Sequence, residues 1–151
     1  MHTAIIQLIT AFFGTLGFAL IFNVGRKFIL PATLCGFLAC GIYLLCYWVF
    51  LWDNLVSNIV AACFCQLYAE LFARVMKSPT TVFYIPGIIP LIPGGALYNT
   101  MYSVVQKDFA MAKHYGIVTL QTALGVAIGL SLISALMHIL MSISRKRALK
   151  Q

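Results

Sequence analysis

Residues 83–95 read Phe83-Tyr-Ile-Pro-Gly-Ile-Ile-Pro-Leu-Ile-Pro-Gly-Gly95. Three prolines and three glycines stand in a segment otherwise apolar enough for a bilayer. Pro86, Pro90 and Pro93 have no N–H to give to a helical ladder. Gly87, Gly94 and Gly95 accept backbone angles that other residues avoid. Hydrocarbon offers no water to repair the lost hydrogen bonds. A disrupted backbone at membrane depth therefore belongs inside protein or beside a water-filled cavity. In transporters, broken helices of this kind build substrate sites.

The rest of the chain is apolar on a scale that fits only a membrane. Of its 151 residues 62% are hydrophobic and 9% are charged, where a soluble domain carries about 25% charged residues. Five stretches reach the ~20 apolar residues that a crossing helix needs. They run over about 4–24, 28–52, 54–73, 79–105 and 115–143, the fourth holding the proline-glycine run. The expected fold is an all-α integral membrane protein, a single transmembrane domain over residues 1–151 with its fourth helix broken. The start, Met-His-Thr, lacks the basic segment of a signal peptide, so the first stretch is expected to be a retained span.

Charge sets the expected orientation. Arg26, Lys27, Arg74, Lys77, Arg145, Lys146, Arg147 and Lys150 follow the first, third and fifth spans. The other side holds Lys107 and Lys113 against Asp53 and Asp108. Eight basic residues against two place the C-terminus in the cytoplasm and the N-terminus outside. Trp48 and Trp52 then fall at the outer interface. The net charge of +7 is thus topological, and no nucleic-acid platform accompanies it.

Cys35, Cys40, Cys46, Cys63 and Cys65 all fall within spans and read as small packing residues. Neither a disulfide framework nor a metal site is expected from them. In the third span Ser57, Ala61, Cys65, Ala69 and Ala73 recur every four residues, a stripe that lets another helix approach closely. Beside it run Asn58, Ala62, Gln66, Glu70 and Arg74. Glu70 is the acidic residue clearly inside a span, and an intramembrane carboxylate is a functional hypothesis by default. With Gln66 one turn before it, Glu70 is a candidate for proton coupling; pairing with Arg74 four residues on is the alternative. In the fifth span Gly125 and Gly129 form G-x-x-x-G, a helix-packing or dimerisation pattern. Gln121 and His138 are its polar members, His138 near the cytoplasmic end.

The broken span carries the candidate substrate path. Pro90 cannot donate to the carbonyl of Pro86, nor Pro93 to that of Ile89, which predicts two free carbonyls for a cation. A half-helix starting after Gly94-Gly95 would aim its N–H groups at the break and favour a carboxylate. Pro86, Gly87, Pro90, Pro93, Gly94 and Gly95 would line that path, with Tyr98, Asn99 and Tyr102 on the following turns. A purely structural kink is the alternative. No H-E-x-x-H, G-x-S-x-G or P-loop occurs, and no nucleophile or metal constellation assembles from His114, His138 and the serines. No catalytic residues, no metal, no cofactor and no enzymatic activity are expected.

The stretch Arg74-x-x-Lys77-x-Pro79, followed by P-G-I-I-P-L-I-P-G-G-x-L-Y to Tyr98, resembles the threonine/serine exporter family. The chain is similar to the small membrane subunit matching the C-terminal five-span half of full-length exporters. That resemblance implies export of small polar metabolites, amino acids such as threonine and serine or dicarboxylates such as succinate. It also implies drive by the proton motive force and a place in a bacterial inner membrane. A second membrane subunit, equivalent to the N-terminal half, is the implied partner. A structural subunit that only assembles a partner carrying the whole pathway is the competing expectation.

Overall fold

The computed structural model describes residues 2–148, with side chains described for residues 4–143. The side chains of Arg145, Lys146 and Arg147, and all of Lys150, lie outside that range, so part of the basic C-terminal cluster does too. The described residues form six α-helices and no strand: α1 (His2–Ile21), α2 (Arg26–Leu44), α3 (Asn54–Val75), α4 (Thr81–Ile88), α5 (Gly94–Val105) and α6 (Phe109–Ala148). A π-helical turn, Leu45–Val49, continues α2, and a 3₁₀ turn, Ile89–Leu91, continues α4. Four helical segments are long and apolar enough to cross a membrane, and the pair Thr81–Leu91 and Gly94–Val105, bent by 45°, makes a fifth.

Two of the boundary differences from the sequence reading have a clear local cause. The second span runs from Arg26 to Val49 rather than to Trp52. Its end unwinds through a π turn, with the Phe50 N–H bonded to the Leu45 carbonyl at 3.2 Å. The last helix starts at Phe109, not near Tyr115. Asp108 explains the difference: its carboxylate accepts from the Met111 N–H at 3.1 Å and caps the first turn.

Three of the chain reversals are short and share one geometry. Asn23, Lys77 and Lys107 hold left-handed φ angles of 51°, 51° and 60°. After each, the next N–H reaches back to a carbonyl of the preceding helix: Val24 to Ala19 at 3.0 Å, Ser78 to Ala73 at 3.0 Å and Asp108 to Ser103 at 2.9 Å. These are Schellman ends, which satisfy carbonyls that lipid would leave bare.

Helix α3 is the hub. Its small stripe is buried throughout, from Ser57 through Ala61, Cys65 and Ala69 to Ala73. Cys35, Ala39 and Leu91 pack on its middle; Ala32 and Phe83 pack on its basic end. The ring of Phe28 meets Phe83 edge-on at 5.8 Å. The neighbouring stripe faces α6. A Cβ on Gly125 would come within 2.9 Å of the Asn58 Cβ, and one on Gly129 within 2.7 Å of the Ala62 Cβ. The G-x-x-x-G pattern is therefore spent on packing inside the chain, and α3 and α6 run parallel. Near the Asp53 end a polar clasp ties three helices: Tyr43 donates to the Asn54 Oδ1 at 3.2 Å, and the Asn54 amide donates to the Thr122 hydroxyl at 2.8 Å.

Candidate functional site

The break is built from local hydrogen bonds. Pro86 sits inside α4, two residues before the helix ends at Ile88. The expected free carbonyls are not free: the Ile89 N–H takes the carbonyl of Pro86, and the Ile92 N–H takes that of Ile89 at 3.1 Å. Each missing proline donor is replaced by the residue before it, because a 3₁₀ turn bonds at i+3 instead of i+4. Gly94 then donates to the Ile92 carbonyl at 2.8 Å, and the ladder resumes with Leu97 on the Pro93 carbonyl at 2.9 Å. The half-helix α5 does begin at Gly94, with no side-chain cap.

The residues of the motif part company in space. Pro86 and Gly87 are buried in the core, where a Cβ on Gly87 would stand 2.7 Å from the Cys35 Sγ. Pro90 borders a cavity of about 300 Å³ that also touches Gln7, Thr10 and Tyr43. Beyond Pro93, Gly94 and Gly95 look into open space on the outside of the chain. Tyr98 and Tyr102 stack on one another and are exposed; Asn99 is half-buried. These residues line no common cavity among the described residues.

What the bend does is separate two helices. Its first half, α4, packs on α2 and α3, whereas its second half, α5, packs on α6. Between α4 and the basic-end half of α6 this leaves a groove of about 660 Å³. Gln66 of α3 forms its floor, Tyr84 of α4 one wall, and Ser131, Ser134 and His138 of α6 the other. Gln66 is 6% exposed and bonds to no other described side chain. Gln66 and Ser134 each lie twelve residues past the Asn54–Thr122 hydrogen bond (54 to 66, 122 to 134). That is ~18 Å along either helix, deep inside a ~30 Å hydrocarbon layer.

Glu70 stands one turn beyond Gln66 but not on the groove. It pairs with Arg74 at 3.7 Å and is 14% exposed, while Arg74 is 46% exposed. Gln66 and Glu70, named together by sequence, are thus on one face with different surroundings. Tyr84, Ser131 and Ser134 carried no sequence signal of a site. Only their polarity within apolar stretches marked them.

A family model described as Threonine/Serine exporter, ThrE matches residues 7–136 of the 151. The chain belongs to the threonine/serine exporter family. No curated protein and no solved structure matches it. In this exporter-family chain the match takes in Gln66, Tyr84, Ser131 and Ser134, and stops two residues before His138. The membership fits a multi-pass membrane protein of transport type.

Proposed function

We propose that this chain is a subunit of an inner-membrane exporter of small polar metabolites, either threonine- or serine-type amino acids or dicarboxylates such as succinate. Export is driven by the proton motive force, with the basic helix ends in the cytoplasm. The observation that carries the reading is the groove opened by the bent span: hydrogen-bonding side chains gathered at a depth where lipid offers them nothing. Family membership supports the same class of function. The groove is open along one side, and α5, which meets α6 near Gly116 rather than at the groove, exposes Leu97, Tyr98, Met101 and Tyr102. A second membrane subunit, equivalent to the N-terminal half of a full-length exporter, closes that side.

The test is efflux of loaded threonine, serine or succinate from cells lacking this chain, its partner, or both. Each deletion should abolish the same flux, and the pair should do no more than either alone. Unchanged efflux of all three would overturn the reading. The same exposed face of α5 favours a second reading, a structural subunit that only holds the partner. Under that reading groove substitutions leave flux unchanged while loss of the chain removes the partner from the membrane.

A further inference from the structure

The groove has a one-sided chemistry. Gln66, Tyr84, Ser131 and Ser134 supply amide and hydroxyl donors, and His138 is the lining residue that can carry positive charge. No carboxylate lines it; Glu70, the nearest on α3, is turned to Arg74. A site so equipped offers hydrogen bonds to an anion and no counter-charge to an ammonium group. The Gln66 amide is the deciding residue. It is nine-tenths buried and lines the groove without a hydrogen bond to any other described residue. With no partner within the chain, that amide is left to bond whatever occupies the groove.

We infer that this groove, read as part of an export path, holds the carboxylate end of its cargo. Gln66 and Ser134, level with one another, grip the carboxylate oxygens. Tyr84 and Ser131 flank them from α4 and α6, and His138 guards the approach from the basic end. Recognition is of the carboxylate, so a monocarboxylic amino acid and a dicarboxylate share it. The break in the fourth span acts at a distance, by holding α4 away from α6.

The test uses the full chain in membrane vesicles and does not depend on export. Ser134→Cys is challenged with a negatively charged, membrane-impermeant methanethiosulfonate, beside Leu132→Cys on the exposed face of α6 and the unsubstituted chain for its native cysteines. Both introduced positions are open in the chain, but only a thiol in water reacts. Ser134→Cys should react quickly and Leu132→Cys slowly. Succinate, threonine or both should slow the Ser134→Cys reaction, and choline, which has no carboxylate, should not. Protection by one of the two acids names the cargo class; protection by both shows shared recognition. In the Ser134→Cys background, Gln66→Leu should raise the acid concentration needed for protection by about tenfold or more. If that variant fails to reach the membrane, Ser131→Ala takes its place with the same expectation. An unreactive Ser134→Cys would overturn the inference, since the groove would then be filled by lipid or protein. So would reaction without protection by either acid, or protection by choline. Because no flux is read, these results stand apart from the deletion experiment: cells can lose export without protection being seen, or show protection without export.

Discussion

Gly129 leaves α3 no room for a side chain: a Cβ there would stand 2.6 Å from the Ile59 carbonyl oxygen and 2.7 Å from the Ala62 Cβ. Both neighbours belong to a packed helix and cannot swing aside. Gly129→Val should therefore force α3 and α6 apart and cost about 1–3 kcal/mol. A thermal melt of the detergent-solubilised chain reads this as a clear drop in midpoint. A midpoint equal to that of the unsubstituted chain would contradict the α3–α6 contact.

Gly94 and Gly95 are the opposite case. A Cβ added to either would have no neighbour within 4 Å. Gly94→Ala with Gly95→Ala should leave the isolated chain unharmed, or firmer by up to about 1 kcal/mol through helix propensity. If the second subunit lays its backbone against this turn, the same pair of substitutions should reduce co-purification of that subunit. Loss of stability without any partner would mean that the turn is packed within the chain.

The Pro90→Ala and Pro93→Ala double variant restores two N–H donors to the bend. The 3₁₀ bonds to the carbonyls of Pro86 and Ile89 then compete with ordinary helical ones. The 45° bend should relax, bringing α4 toward α6 and narrowing the groove. Spin labels at Thr81 and Ser134 should report a shorter mean distance, and export should fall while the chain still inserts. An unchanged distance would show that packing of α4 on α2 and α3, not the prolines, sets the bend.

For Glu70 the decisive comparison is between stability and coupling. The Arg74 pair is a helix i,i+4 contact with one partner half exposed, worth a few tenths of a kcal/mol. Glu70→Gln should thus barely move a melting curve. If Glu70 carries the coupling proton, export in that variant should persist down a metabolite gradient yet stop responding to an imposed pH gradient. A normal pH-gradient response would reduce Glu70 to its partnership with Arg74.

Orientation is checked with reporters. An enzyme active only in the periplasm, inserted between Lys107 and Asp108, should be active; the same reporter after Gln151 should be silent. The reverse pattern would invert the charge argument from Arg26, Lys27, Arg74 and Lys77.

Much of the architecture was legible because lipid imposes one rule on every residue. Apolar length marked the spans, and spacing by four marked both the buried stripe of α3 and the glycines of α6 that pack on the stripe beside it. The errors have local causes. Asp108 looked like loop charge and is a cap. The carbonyls of Pro86 and Ile89 looked free because an α-helical ladder was assumed, whereas the chain tightened to a 3₁₀ turn. The groove was harder still. Tyr84 lies far along the chain from Ser131 and Ser134, and nothing in sequence gives the direction in which a bend turns. Asn54 escaped notice for a similar reason: its partners, Tyr43 and Thr122, come from two other helices.

The Schellman ends at Asn23, Lys77 and Lys107 have a mechanical consequence. Each folds the chain back onto the last turn of the helix it ends, and the next helix starts within three residues of the bonded N–H. A helix so tethered cannot slide along its own axis like a piston without tearing its neighbour's last turn. It can still lean about the tether, as a door leaf leans on its hinge pin. Tilting of whole helices, with the widest excursion at the ends remote from these turns, is the motion such short connections favour for a passage that opens and shuts.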